Sequence, residues 1–186
     1  MRAESPAMVD PTTLDRWLYR LIFLGLAGLA VFVMILPLET RPGRLPAPDW
    51  MLCLTLAWLQ RRPDYLPPWL IAGVFLMLDM LLMRPPGLMT ALVLVGSEFL
   101  RARQQVSVET AFGPEWLLTG GTIFAIYLAD GMVLALFSVP EADFGRLMFL
   151  ALVTALVYPL VALASRYALG VRRVTPGDLD PRGLNR

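Results

Sequence analysis

Residues 116–139 read WLLTGGTIFAIYLADGMVLALFSV and carry one charge, Asp130, in 24 positions. A helix rises about 1.5 Å per residue and the hydrocarbon core of a bilayer is about 30 Å thick, so roughly 20 apolar residues cross it. This stretch therefore reads as a transmembrane helix. Working outward, residues 147–169 read as a second span. Residues 18–38, apolar except for Arg20 near their start, read as a third. Residues 66–83 are a fourth, with Asp79 as their one charge before the end. Two shorter runs, 47–59 and 87–100, hold 13 and 14 residues and do not span alone. The first extends from Arg44 to Arg62, and the second runs on through good helix formers to Gln105. The alternative for each is a re-entrant or interfacial segment.

Composition narrows the chemistry. Of 186 residues 57% are hydrophobic, and the mean hydropathy of +0.62 does not fit an ordinary soluble domain. All 16 basic residues are Arg; His and Lys are absent, and Cys53 is the only cysteine. Without His there is no Ser-His-Asp relay and no imidazole metal ligand. Without Lys there is no Walker A loop and no Schiff base. One cysteine excludes an internal disulfide and a cysteine-rich zinc site. A net charge of +1 gives no reason to expect a nucleic-acid partner. The expectation is a protein with neither enzyme activity nor cofactor.

Arginine distribution favours six crossings. If all six segments cross, one side holds Arg2, Arg16, Arg20, Arg61, Arg62, Arg101, Arg103, Arg166, Arg172, Arg173, Arg182 and Arg186. The other holds Arg41, Arg44, Arg84 and Arg146, a split of 12 to 4. The positive-inside rule then puts both termini in the cytoplasm. With five crossings this split largely collapses. Trp17, Trp50, Trp58, Trp69 and Trp116 lie near segment ends, as an interfacial aromatic belt requires. The organisation expected is a cytoplasmic tail (1–16), one all-α six-helix membrane domain (17–169) and a second cytoplasmic tail (170–186). The first span is too long for a signal-peptide core and has no small-x-small site after it.

Three acids inside apolar segments, Asp79, Glu98 and Asp130, are the candidate functional residues, because an intramembrane carboxylate is costly and faces protein or water. Asp130 is expected near mid-helix, with Tyr127 one turn away on the same face. It reads either as a ligand or proton site or as a hydrogen-bonded anchor. Asp79 is expected near the outer interface, snorkelling or pairing with Arg84 or Arg44. Glu98 is expected to pair locally with Arg101. Gly121, Ala125 and Ala129 form a row of small residues, with Gly131 and Ala135 in an adjacent row, and such rows allow close helix approach, internally or to a partner. Pro159 should kink the last helix. Asp49, after Pro46 and Pro48, suits a helix N-terminus. Arg172 and Arg173 beside the last span suit anionic lipid heads.

The passage from Pro48 to Gln105 resembles the MreD family of rod-shape-determining membrane proteins. The resemblance is carried by Pro48-Asp49-Trp50, an apolar run to Trp58, Arg62-Pro63, a helix ending in Asp79, and Gly87-Leu88-Met89-Thr90-Ala91-Leu92. It departs where that family often has a Gly about four residues after the helix-end Asp; here that place holds Met83, followed by Arg84-Pro85-Pro86. The resemblance implies a non-enzymatic component of the bacterial cell-elongation machinery in the inner membrane. It also implies a single-span MreC-like partner, with actin-like MreB and a peptidoglycan glycosyltransferase and transpeptidase acting alongside. The implied fold is similar to the substrate-binding component of energy-coupling-factor vitamin transporters. The competing expectation is therefore a small-molecule uptake component.

Overall fold

The computed structural model describes residues 11–35, 47–104, 112–137 and 143–168. They form six helices: α1 (Pro11–Ile35), α2 (Trp50–Arg61), α3 (Pro68–Leu81), α4 (Leu88–Gln104), α5 (Phe112–Leu136) and α6 (Phe144–Ala168). A short 3-10 turn, Pro63–Tyr65, joins α2 to α3. The described secondary structure is all helical. Three helices, α1, α5 and α6, are long and apolar enough to cross a membrane, and α3 is apolar but shorter. The expected tails (1–16 and 170–186), with Arg172 and Arg173, and the loop carrying Arg44 fall mostly outside the described residues. Residues 11–16, expected in the N-terminal tail, belong instead to α1, whose first position is a proline that needs no donor there.

The segments 66–83 and 47–59 are shorter as helices than expected. Two prolines, Pro67 and Pro68, fix where α3 begins, and Met83 with a φ of 51° ends its last turn. At about 1.5 Å per residue its 14 residues extend roughly 21 Å. In α2, 12 residues extend about 18 Å. The run from 87 does continue through Arg101 to Gln104.

Chain direction alternates along all six helices. Arg20 on α1 donates to the Asp64 carbonyl, and Arg101 at the end of α4 donates to the Leu66 carbonyl. Gln60 near the end of α2 donates to Thr119 near the start of α5, and Tyr158 of α6 donates to Glu115 beside it. These contacts put the start of α1, the end of α2, the start of α3, the end of α4, the start of α5 and the end of α6 at one end. Of the nine arginines whose side chains are described, seven lie there: Arg16, Arg20, Arg61, Arg62, Arg101, Arg103 and Arg166. Arg84 and Arg146 lie at the other end.

The core lies where α2 packs between α4 and α6, with α5 closing the ring against both. Trp58, Tyr127, Tyr158, Phe75, Leu52 and Leu56 fill it. Helix α1 is outermost and touches only α2, α3 and the 3-10 turn to any extent. Its attachment is aromatic. Tyr19 stacks on Tyr65 at 4.5 Å between ring centres, and Phe23 lies 5.7 Å from Trp58. Arg20 sits over both Trp17 and Trp69, a cation held by two aromatic faces at the basic end.

Helix α6 runs continuously past Pro159. A proline in a helix deprives the carbonyl four residues back of its donor. That carbonyl is Ala155 O, and the Trp116 indole N–H donates to it at 2.9 Å. The vacancy Pro159 makes in α6 is thus filled from α5. Trp116→Phe is expected to lower stability in detergent by about 1–3 kcal/mol, the cost of an unsatisfied buried acceptor. In the Pro159→Ala background the same change should cost distinctly less, because residue 159 again donates. Thermal or denaturant unfolding of the four proteins measures the difference.

Candidate functional site

Two carboxylates organise the end of the bundle opposite the arginines. Asp49 caps α2: its Oδ1 accepts the Leu52 N–H at 2.9 Å. Its Oδ2 accepts the Tyr127 hydroxyl of α5 at 3.0 Å, and its backbone N–H donates to Thr154 Oγ1 of α6 at 3.1 Å. The Cys53 thiol donates to the Thr154 carbonyl at 3.2 Å. One residue at a helix start therefore joins α2, α5 and α6. The expectation that Asp49 suits a helix N-terminus is realised, and its reach to two other helices is new.

Asp79 is 1% exposed. Its Oδ2 accepts three hydrogen bonds: from Gly87 N at 3.1 Å, Thr90 N at 3.2 Å and Thr90 Oγ1 at 2.8 Å. It neither snorkels nor makes a direct ion pair with Arg84 among the described residues. The correction has a simple cause. The first turn of α4 offers bare N–H donors one turn away from Asp79, and a buried carboxylate gains more from them than from an arginine it would have to leave the core to reach. Gly87 permits this closure with a φ of 88°, and Met83 takes a left-handed φ of 51° in the place where the resembling family often has Gly.

Asp130 is half-buried and lies within electrostatic reach of Asp79 and Arg84. It is not at mid-helix. Helix α5 begins at Phe112, so Asp130 stands six residues, about 9 Å, from its outer end. Tyr127, expected beside it, turns to Asp49 instead. Glu98 pairs with Arg101 at 3.5 Å, as expected of a local pair, and is 53% exposed. Among the described residues no three His, Cys, Asp or Glu side chains gather as a metal-sized group.

The row Gly121, Ala125 and Ala129 is not an internal packing face, whereas Gly131 of the adjacent row is buried. Gly121 and Ala125 are exposed, Ala129 is half-buried, and nothing lies within 4 Å of a Cβ built on Gly121. Ala135 is exposed too. The buried stripe of α5 runs instead through Thr119, Thr122, Ile123, Ile126 and Tyr127. Close approach occurs at Gly131, under Phe144 and Leu147, and at Gly96 of α4, where a Cβ would meet Ile126 at 2.9 Å. Of the other motif positions, Pro63 opens the 3-10 turn, Pro48 is half-buried before α2 and Trp50 is half exposed.

A further polar joint at the basic end escapes the sequence reading. Gln60 donates to Thr119 Oγ1 at 3.1 Å, and the Tyr158 hydroxyl donates to Glu115 Oε1 at 3.0 Å. Arg61 donates to the Ala57 carbonyl at 3.1 Å. All five side chains, Gln60, Arg61, Glu115, Thr119 and Tyr158, are buried. Glu115 directly before Trp116, and Tyr158 directly before Pro159, were the available signals.

No family model, curated protein or solved structure matches the chain.

Removing the Asp49 carboxylate deprives α2 of its cap and leaves the Tyr127 hydroxyl without its acceptor. Asp49→Ala is expected to cost about 2–3 kcal/mol, from a cap near 1 kcal/mol and one unsatisfied buried group. Tyr127→Phe should cost less. The two together should cost less than their sum, because they share one bond. Unfolding in detergent, read as a double-mutant cycle, checks this.

Proposed function

We propose that this chain is a non-enzymatic six-pass scaffold of the bacterial cell-elongation machinery, MreD-like, in the inner membrane with both termini in the cytoplasm. In this reading it binds a single-span MreC-like protein and supports lateral peptidoglycan synthesis and rod shape, alongside MreB and a wall glycosyltransferase and transpeptidase. The observation that carries the reading is the use made of the motif residues. Asp49 and Asp79 with Gly87, on which the resemblance rests, are the joints of the bundle, so their chemistry is spent on architecture. Alternating chain direction, with seven described arginines at one end, supports six passes and that orientation. The short α2 and α3 cross in this reading as members of a bundle whose polar ends are internally satisfied. The exposed row Gly121 and Ala125 on α5 is the face offered to a partner helix.

Tagged purification from native membranes in mild detergent, with co-purifying proteins identified by mass spectrometry, tests this. An MreC-like protein is expected. Paired ATPases or a tightly bound metabolite would instead establish the uptake function. Asp130→Leu is expected to lower partner recovery or complex abundance. Unchanged recovery together with normal cell shape would remove Asp130 from the partner-binding role.

A further inference from the structure

The hairpin of α3 and α4 is too short for the layer it lies in. The 14 residues of α3 extend about 21 Å, some 9 Å less than a hydrocarbon core of about 30 Å, whereas α5 and α6 have 25 residues each. The end of the hairpin anchored at the aqueous surface is the basic one, where Trp69 lies against Arg20 and Arg101 reaches Leu66. The shortfall therefore falls at the turn, residues 82–87.

That turn has the side chains and the closed N–H donors that hydrocarbon favours. Its outward side chains are apolar: Met80, Leu81 and Leu82 are exposed, Met83 is 95% exposed, and Pro85 and Pro86 stand out beside them. Its backbone donors are all used within the hairpin. Leu82 N–H donates to Leu78 O, Met83 to Met80 O and Arg84 to Asp79 O. Gly87 donates to the Asp79 carboxylate and Leu88 to Pro85 O. Pro85 and Pro86 have no donor to satisfy. Lipid offers no acceptor for an open N–H, and the turn leaves none; its carbonyls at Leu82, Met83, Arg84 and Pro86 accept no bond among the described residues and fit a seat in the outer part of the leaflet, within reach of interfacial water. The one charged side chain of the turn, Arg84, lies within electrostatic reach of Asp130 on α5.

We propose that the turn 82–87 is seated among the acyl chains of the outer leaflet instead of in periplasmic water, with Met83 and its neighbours as a lipid-contacting tip. The partner of this surface is lipid hydrocarbon. The proposal rests on the membrane reading above, and its test separates the two. Nitroxides are placed by Met83→Cys and, separately, Leu82→Cys in a Cys53→Ser background, reconstituted in phospholipid vesicles. Leu128→Cys, on the exposed face of α5, is the lipid reference, and Arg103→Cys is the aqueous one. Power saturation then compares collisions with oxygen, which concentrates in lipid, and with a water-soluble nickel chelate. The expected result is oxygen exceeding nickel several-fold at 82 and 83, as at 128. Nickel exceeding oxygen at 82 and 83 while 128 stays lipid-like overturns the proposal and leaves the membrane reading standing. Nickel dominating at 128 as well overturns both. Low collision with both reagents at 82 and 83 means protein covers the tip, which also overturns it. Leu82→Cys serves if the strained position 83 does not accept the label.

Discussion

A helix that stops inside an apolar layer leaves bare N–H or C=O groups with no water to take them, at several kcal/mol each. Three of the six helices here, α2, α3 and α4, are shorter than α1, α5 and α6, which are long and apolar enough to cross such a layer. The starts of α2 and α4 are closed from within. Asp79 closes the start of α4 with one carboxylate oxygen taking three donors. Asp49 closes the start of α2 and in the same act fixes α2 to α5 and α6. Trp116 performs the same service for the carbonyl that Pro159 strands in mid-helix.

Seen this way, the buried acids and the buried hydroxyls are one system. Hydrophobic burial cannot hold membrane helices together as it does in water, since lipid is as apolar as a leucine side chain. Association relies on close packing and on hydrogen bonds between helices. Both are present: Gly96 lets α4 approach Ile126 of α5, and Gln60, Thr119, Glu115 and Tyr158 tie α2, α5 and α6 at the basic end. Helix α1 has none of these joints to α4, α5 or α6 among the described residues. It is held by rings and by Arg20, which makes it the piece of the bundle most readily displaced.

Much of this was legible before the structure. Apolar length marked the helices and their order, because it is a property of single segments, and the alternating direction of the helices gathers the described arginines as their spacing in the sequence suggests. Asp49 was legible as a helix start because an acid after proline has few other uses there. Asp79 was legible as unusual but not in its role. Its partners are the backbone amides of Gly87 and Thr90, and backbone amides leave no trace in side-chain pattern. The row Gly121, Ala125 and Ala129 left its side open, because small residues at four-residue spacing say nothing about which side of a helix meets protein. That depends on where α4 and α6 lie, and the threonines Thr119 and Thr122 mark the side they chose. Glu115 stands one residue before Trp116, and its burial depends on Tyr158 of α6, which no local pattern reveals.

The functional reading follows from the same economy. A protein whose polar side chains are consumed in joining its own helices is suited to present shaped, apolar faces to others. The most direct test of the central constraint is amide hydrogen exchange on the protein in lipid nanodiscs, followed at Leu52, Gly87 and Thr90. If the short helices are sealed by Asp49 and Asp79, these three amides exchange as slowly as those in the middle of α5. Exchange at the rate of an open loop would show that the carboxylates do not close these helix ends and that something else holds the bundle together.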